Sequence, residues 1–193
     1  MKKIKNYKIN LRRKEILRVL KKTTQVTDIT PEIEERVQTE SLRLQDYVMP
    51  SAIYDTKPKD KIPDEFIKDK ENANYIAATM YFVTIGDKIE QEIKAIHERG
   101  DNILEQIIHS IALEATEQSI NFIQRLVKDE AENQDCEITR GIHINSPDSI
   151  SKLLSILPGD KININFEENR NLYPLYSSAG TIYWMPLKKQ RKK

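Results

Sequence analysis

The feature that most constrains the fold is a run of apolar residues that recur every three or four positions from Asn102 to about Lys128. This spacing predicts an α-helix of roughly seven turns with one apolar face. Such a helix must pack against a sheet or against another helix, so the rest of the chain has to fold around it. The residues that repeat are Ile103, Ile107, Ile111, Ala115, Ile120, Ile123 and Val127.

Shorter helices are predicted before this segment. The stretch from Leu11 to Lys22 has apolar residues near one face, and a second helix begins at Thr30 with Pro31 at its first helical position. Pro50 limits its extent. We therefore expect an N-terminal helical part over about residues 10–50.

Two further helices flank the long one. Asp87 to Arg99 is amphipathic and is followed by Gly100, which suits a helix C-cap. Asp148 to Leu157 is a shorter helical segment with an N-cap near Ser146.

Several segments have the composition or the alternation of β-strands. Helices combined with such strands predict an α+β fold in which long helices pack on a mixed or antiparallel sheet. At 193 residues the chain fits a single domain over 1–193. The predicted strands are Ala52–Tyr54 (followed by an exposed connection to Lys70), Tyr75–Ile85, Cys136–Ile144, 162–166, and Leu172–Trp184 with a break at Ser177–Gly180.

Charge is nearly balanced, with 31 basic and 30 acidic residues, so we expect no nucleic acid as a ligand. Basic residues concentrate in segments 1–9 and 187–193. We interpret these segments as solvated tails; docking to an acidic partner is the alternative.

The single cysteine, Cys136, excludes an internal disulfide and favours a reducing compartment. No apolar run is long enough to span a bilayer, and the lysines after Met1 are not followed by the apolar stretch of a signal peptide. We expect a cytoplasmic protein without membrane contact. Five glycines provide no phosphate-binding loop, and the three scattered histidines suggest no metal site.

Four segments, in this order, resemble the activation domain of cobalamin-dependent methionine synthase and its small stand-alone relatives. RRKEILRVL is similar to the opening helix of the stand-alone relatives, and MYFVTIG, residues 80–86, to their strand-to-helix step. GDKIEQEIKAIHERGDNILEQIIHSIALEATEQSINFI is similar to the family's helix pair, and LYPLYSSAG, residues 172–180, to its closing segment. The resemblance covers most of the chain.

The resemblance implies an accessory protein for reductive reactivation of methionine synthase or a related corrinoid methyltransferase. Its ligand would be S-adenosylmethionine, and its partner would be a cobalamin-binding domain that carries the corrinoid. A flavodoxin-like protein would donate the electron. The resemblance leaves open whether the chain acts as a methyltransferase subunit, and it implies no catalytic residue in this chain, because the cobalt supplies the reactivity.

The resemblance also implies a ligand site. Glu117 matches the family's helix glutamate and Arg140 the arginine of its binding loop, with Gly141 and His143 close to that arginine. A carboxylate and a guanidinium complement the ammonium and carboxylate groups of an amino acid.

Two alternatives stay open at this point. Glu117 and Arg140 also fit ordinary solvated positions, one on a helix face and one on a strand. Gly141 follows Arg140 directly, the family's Gly-Tyr pair is absent, and the segment to Pro147 is shorter than the family's loop. These departures favour a docking module that keeps the fold and binds a corrinoid protein without S-adenosylmethionine.

Overall fold

The computed structural model describes residues 1–23, 28–66, 74–166 and 172–187. Within these ranges the chain forms one large antiparallel sheet with helices on both faces. The predicted α+β class with long helices on an antiparallel sheet is confirmed. None of the helices in these ranges combines the length and the apolar character that a membrane crossing needs.

The sheet has the strand order β1-β2-β3-β8-β4, and β5 pairs with β8 further along the same edge. Every pairing is antiparallel. A separate hairpin, β6 with β7, lies outside this sheet. The strands are β1 (Lys2–Lys5), β2 (Ser51–Pro58), β3 (Ala77–Thr84), β4 (Cys136–Ile138), β5 (Ile142–His143), β6 (Asn165–Phe166), β7 (Leu172–Tyr173) and β8 (Ser177–Pro186).

The helices begin and end at residues that suit those positions. Thr30 caps the second helix by accepting from the Ile33 amide, and Ser146 caps the last by accepting from the Ser149 amide. Gly100 ends the third in the left-handed conformation. The helices in the described ranges are α1 (Arg13–Thr23), α2 (Pro31–Arg43), α3 (Lys88–Arg99), α4 (Asn102–Glu132) and α5 (Pro147–Ile156).

The long helix α4 contributes to two separate cores. Its first half packs against α1, α2 and α3 through residues that include Ile107 and Ile111. Its second half covers one face of the sheet through residues that include Ile123 and Val127. The opposite face is covered by α5, which contributes Leu153. The sheet is therefore buried on both faces, and α4 joins the helical cluster to it.

The predicted helices are confirmed with small changes at their ends. The periodic segment is helical from its predicted start at Asn102 and continues to Glu132, because Val127 and Ala131 extend the buried face. The second helix ends at Arg43, and a short helical turn over Leu44–Asp46 follows it.

The prediction of a solvated basic tail over residues 1–9 is wrong in part, because Lys2–Lys5 form β1 and pair with β2. The three lysines of this strand suit an edge position, since charge at the edge discourages further pairing. The second tail, from residue 188 onward, lies outside the described residues, as does part of the connection before Lys70.

Strand limits differ more than helix limits. The predicted strand at Ala52–Tyr54 extends to Pro58, because β3 supplies hydrogen-bonding partners for polar residues that have no strand signal of their own. Ser177–Gly180 form the start of β8 rather than a break. In the predicted strand over 162–166, only Asn165–Phe166 is extended, and Gly159–Ile162 form a helical turn.

We predict that Ile123→Ala lowers the free energy of unfolding by about 2–5 kcal/mol, because Ile123 is fully buried between α4 and the sheet. The matched control is Ile103→Ala on the same helix, where the side chain is 46% exposed and the expected change is within about 0.5 kcal/mol. Urea denaturation measures both, and equal losses would contradict the assigned packing of α4.

Candidate functional site

The hydroxyl group of Tyr81 is buried without a hydrogen-bond partner among the described residues. Tyr81 lies on β3, on the sheet face that α4 covers, and its side chain is fully buried. Burial, together with the nearby negative charge of Glu117, raises the pKa of the Tyr81 hydroxyl well above its usual range. Most buried polar groups in proteins are paired, so an unpaired hydroxyl at this position needs an explanation.

Two glycines keep the space around this tyrosine open. Gly180 on β8 lies directly opposite Tyr81, and a Cβ atom at that position would lie 2.8 Å from the ring carbon Cε1. At Gly141, a Cβ atom would lie 3.4 Å from the Tyr81 hydroxyl and 2.7 Å from Nε2 of Gln124 on α4. The rigid ring of Tyr81 therefore requires glycine at position 180, whereas the close neighbour of Gly141 is the far end of a flexible side chain.

The structure places the four predicted site residues on three different elements. Glu117 is exposed on α4, and Arg140 is exposed in the short loop between β4 and β5. Gly141 follows in that loop, and His143 lies on β5 opposite Gly180. The Nδ1 atom of His143 lies 3.3 Å from the hydroxyl oxygen of Ser178.

Two of these residues adjoin Tyr81. Gly141 lies next to its hydroxyl, and His143 is paired with Gly180, the glycine that its ring covers. Glu117 contributes through its negative charge to the raised pKa of Tyr81. Arg140 is joined to this group by its peptide bond to Gly141. Neither Glu117 nor Arg140 forms an ion pair with another residue of the described chain, so both charges face solvent.

Sequence analysis did not identify Glu114, the buried glutamate of α4. Its side chain is 2% exposed and accepts from the Arg12 guanidinium, with Nε to Oε1 at 2.8 Å and Nη2 to Oε2 at 3.3 Å. Gln118 donates to the same carboxylate at 2.9 Å. The signal for this pair is in the sequence, since position 114 falls on the apolar stripe of α4, where an unpaired charge is unfavourable. Glu114 is thus a structural anchor, and Glu117 is its exposed neighbour.

A cavity of about 310 Å³ lies at the same edge of the sheet, on the opposite face, which α5 covers. Its lining combines apolar side chains with the polar groups of Asn145, Ser177 and Ser178. The cavity reaches Ser178, the hydrogen-bonding neighbour of His143. The lining residues are Ile144, Asn145, Ile150, Leu172, Leu175, Ser177, Ser178 and Ala179.

One wall of this cavity is held by polar contacts to α3 and α4. The amide of Leu175 donates to Oε2 of Glu90 at 3.0 Å. The hydroxyl of Tyr176 lies 2.5 Å from Nδ1 of His109, and burial lowers the pKa of this histidine. Where the structure is described, no group of His, Cys, Asp and Glu side chains is arranged to hold a metal ion.

Comparison with known proteins identifies a solved structure with the same fold as this chain. No protein-family model matches the sequence, and no curated protein matches it. Among solved structures, 13 chains match. One is the MetH reactivation domain bound to AdoHcy, which aligns over 98% of this chain and 79% of its own, with a TM-score of 0.64 and 11% identity. This chain and that domain therefore share a fold.

We predict that Gly180→Ala destabilises the protein by about 1–3 kcal/mol, because the added methyl group overlaps the rigid ring of Tyr81. Gly141→Ala is the matched control, with an expected loss below about 1 kcal/mol, since its nearest neighbour is the flexible end of Gln124. Chemical denaturation of both variants tests this order, and a larger loss for Gly141→Ala would contradict it.

The lowered pKa of His109 predicts a pH dependence of stability. The unfolded chain takes up a proton near pH 6.5 and the folded chain does so only at lower pH, so acidification below about 6.5 favours unfolding. We expect the melting temperature of His109→Gln to fall less between pH 7 and pH 5 than that of the parent protein. Identical slopes for His109→Gln and the parent protein would refute the assignment.

Proposed function

We propose that the chain binds S-adenosylmethionine, and its product S-adenosylhomocysteine, at the sheet edge formed by β5 and β8. The observation that carries the proposal is that Gly141 and His143 adjoin Tyr81 on the sheet face that α4 covers, with Glu117 exposed on α4. A cavity lies on the other face at the same sheet edge. The shared fold with a domain that binds AdoHcy supports it.

The charged groups suit the amino-acid end of the ligand. The Glu117 carboxylate would accept from the ammonium group, and the Arg140 guanidinium would donate two parallel hydrogen bonds to the carboxylate. Gly141 lets the ligand approach the backbone without a side chain in the way. Because both charges are exposed, their pairing with a ligand does not require an existing ion pair to break.

The cavity suits the nucleoside end. Its apolar side chains, among them Ile144 and Leu172, provide surface for the adenine ring, and Asn145 and Ser177 provide polar groups for the ribose and the base edge. The extended backbone from Arg140 to Asn145 spans at most roughly 17 Å. This length accommodates an amino acid, a sulfur atom and a nucleoside in line.

We further propose that the chain serves in reductive reactivation of a corrinoid methyltransferase such as methionine synthase. The partner's cobalamin-binding domain would carry the corrinoid, which accepts the methyl group. A flavodoxin-like donor would supply the electron, and S-adenosylmethionine would leave as S-adenosylhomocysteine. The part of this chain is to hold the methyl donor in line with the acceptor. The cytoplasmic location expected from the sequence suits such a partner.

Isothermal titration of S-adenosylhomocysteine into the purified protein tests the ligand proposal. We expect binding to the parent protein and a roughly 10- to 100-fold loss of affinity in Glu117→Ala and in Arg140→Ala, since each removes a hydrogen bond between charged groups. Glu98→Ala and Arg99→Ala, both exposed at the far end of α3, are the matched controls and should bind like the parent.

Absence of heat at millimolar ligand, with no shift in melting temperature, would contradict ligand binding. The docking module would then be the better hypothesis, and it is favoured by the shortness of the loop between β4 and β5. A pull-down with a purified cobalamin-binding domain tests that second function, and it predicts a complex that forms without S-adenosylmethionine.

A further inference from the structure

A row of polar side chains crosses one end of the large sheet, on the face that α5 covers. Lys5 on β1 pairs in register with Ser51 on β2, which pairs with Thr84 on β3. Paired residues of antiparallel strands point to the same face with their Cβ atoms about 4.5–5.5 Å apart, so these side chains are neighbours. The next row on the same face belongs to the apolar core and includes Ile53 and Phe82. The face therefore changes from apolar to polar at this end of the sheet.

The two hydroxyl groups of this row are buried and have unused hydrogen-bonding capacity. Ser51 is 8% exposed and Thr84 is 2% exposed. The Thr84 Oγ1 atom accepts from the Gly86 amide at 3.1 Å, which leaves the hydroxyl proton free for an acceptor. Across the described ranges, the Ser51 hydroxyl has no hydrogen-bond partner and the Thr84 hydroxyl has no acceptor. Because most buried polar groups in proteins are paired, these two hydroxyls indicate an acceptor that binds beside them.

Lys5, Ser51 and Thr84 line a cavity of about 430 Å³. Asp87, at the N-terminal end of α3, lines the same cavity. Its Oδ2 atom accepts from Nε2 of Gln91 at 2.8 Å, whereas its Oδ1 atom has no partner within the described chain. Apolar lining is provided by the side chains of Met49, Ile162 and Pro174.

Lys5 and Asp87 carry opposite charges in this cavity without pairing. In the part of the chain that the structure describes, neither forms an ion pair with the other or with a third residue. They are the only charged side chains among the residues that line the cavity, so its formal charges cancel. A ligand that carries both charges can pair with each of them, and hydrogen bonds between charged groups are stronger than those between neutral groups.

We propose that this cavity is a second ligand site, which takes a free α-amino acid with an apolar side chain. The ligand carboxylate accepts from the Lys5 ammonium group and from the hydroxyls of Ser51 and Thr84. The ligand ammonium group donates to the Asp87 carboxylate, and the ligand side chain packs against the apolar lining. No residue of this cavity belongs to the S-adenosylmethionine site proposed above, so the two proposals are independent.

Backbone hydrogen bonds hold the loops around the cavity in place. The Asn6 amide donates to the Pro50 carbonyl at 2.8 Å, which joins the end of β1 to the start of β2. The Met49 amide donates to the Ile85 carbonyl at 2.9 Å, which joins the chain before β2 to the turn before α3. The cavity is therefore preformed, and the proposed contacts need no rearrangement of the backbone.

Isothermal titration of L-leucine, L-methionine and L-phenylalanine into the purified protein tests the proposal. We expect at least one of them to bind. Analogues of the bound amino acid that lack its ammonium group or its carboxylate should bind roughly 10- to 100-fold more weakly, since each loses hydrogen bonds between charged groups. For leucine, these analogues are isocaproate and isoamylamine.

Substitutions of the two charged residues test the assigned contacts. Lys5→Ala and Asp87→Asn should each weaken binding by roughly 10- to 100-fold. Two matched controls should bind like the parent protein. Lys3→Ala lies two residues away on the same face of β1, and Asp60→Asn lies beyond the opposite end of β2.

Ser51→Ala separates ligand binding from a structural role of the hydroxyl. It should weaken amino-acid binding by roughly 10-fold, because it removes a donor to the ligand carboxylate. The melting temperature of the free protein should stay unchanged or rise, because a buried hydroxyl without a partner is removed. A lower melting temperature with unchanged affinity would overturn the assignment of this hydroxyl to the ligand.

The remaining outcomes keep the two proposed sites apart. Binding that is lost in Lys5→Ala and Asp87→Asn but kept in Glu117→Ala supports the second site, whatever the result with S-adenosylhomocysteine. Binding that is lost in Glu117→Ala and kept in Lys5→Ala overturns it. Equal affinity for leucine and isocaproate also overturns it, because the ammonium group would then make no contact. If none of the three amino acids binds at millimolar concentration, the second site is rejected and the S-adenosylmethionine proposal stands.

Discussion

Burial of one face of α4 is the constraint on which the rest of the structure depends. The helix is too long for a single core, so its first half packs against three helices and its second half against the sheet. The strands can be short and their edge polar because Ile123 and Val127 cover the sheet along its face. Without α4, neither the helical cluster nor the sheet would have a complete apolar interior.

The candidate site lies where α4 passes from one core to the other. Glu114 and Glu117 are three residues apart, so they lie close together along the helix while pointing to different surroundings. Glu114 faces inward and is neutralised by Arg12, which fastens the chain before α1 to the centre of the molecule. Glu117 faces outward and is exposed. One helix thus provides a structural carboxylate and a ligand-binding candidate within a single turn.

Helices were predictable from this sequence to within a few residues because periodicity and caps are local. Thr30 and Gly100 mark helix ends by their own chemistry, whatever the tertiary structure. Strand limits were less predictable, because β2 extends through polar residues whose partners lie on β3. The arrangement of the candidate site also depends on tertiary structure, which local sequence patterns do not predict. Glu117 and Arg140 were identified through resemblance, whereas the arrangement around Tyr81 depends on register between strands far apart in sequence.

The contact between Tyr81 and Gly180 has a consequence for how this chain evolves. In a sequence with only five glycines, the one at position 180 is required by the ring of Tyr81, which lies on another strand. A descendant that retains the tyrosine is constrained to retain this glycine, while a loss of the ring releases it. The two positions are therefore expected to covary, and they form a better pattern for recognising distant relatives than overall identity does.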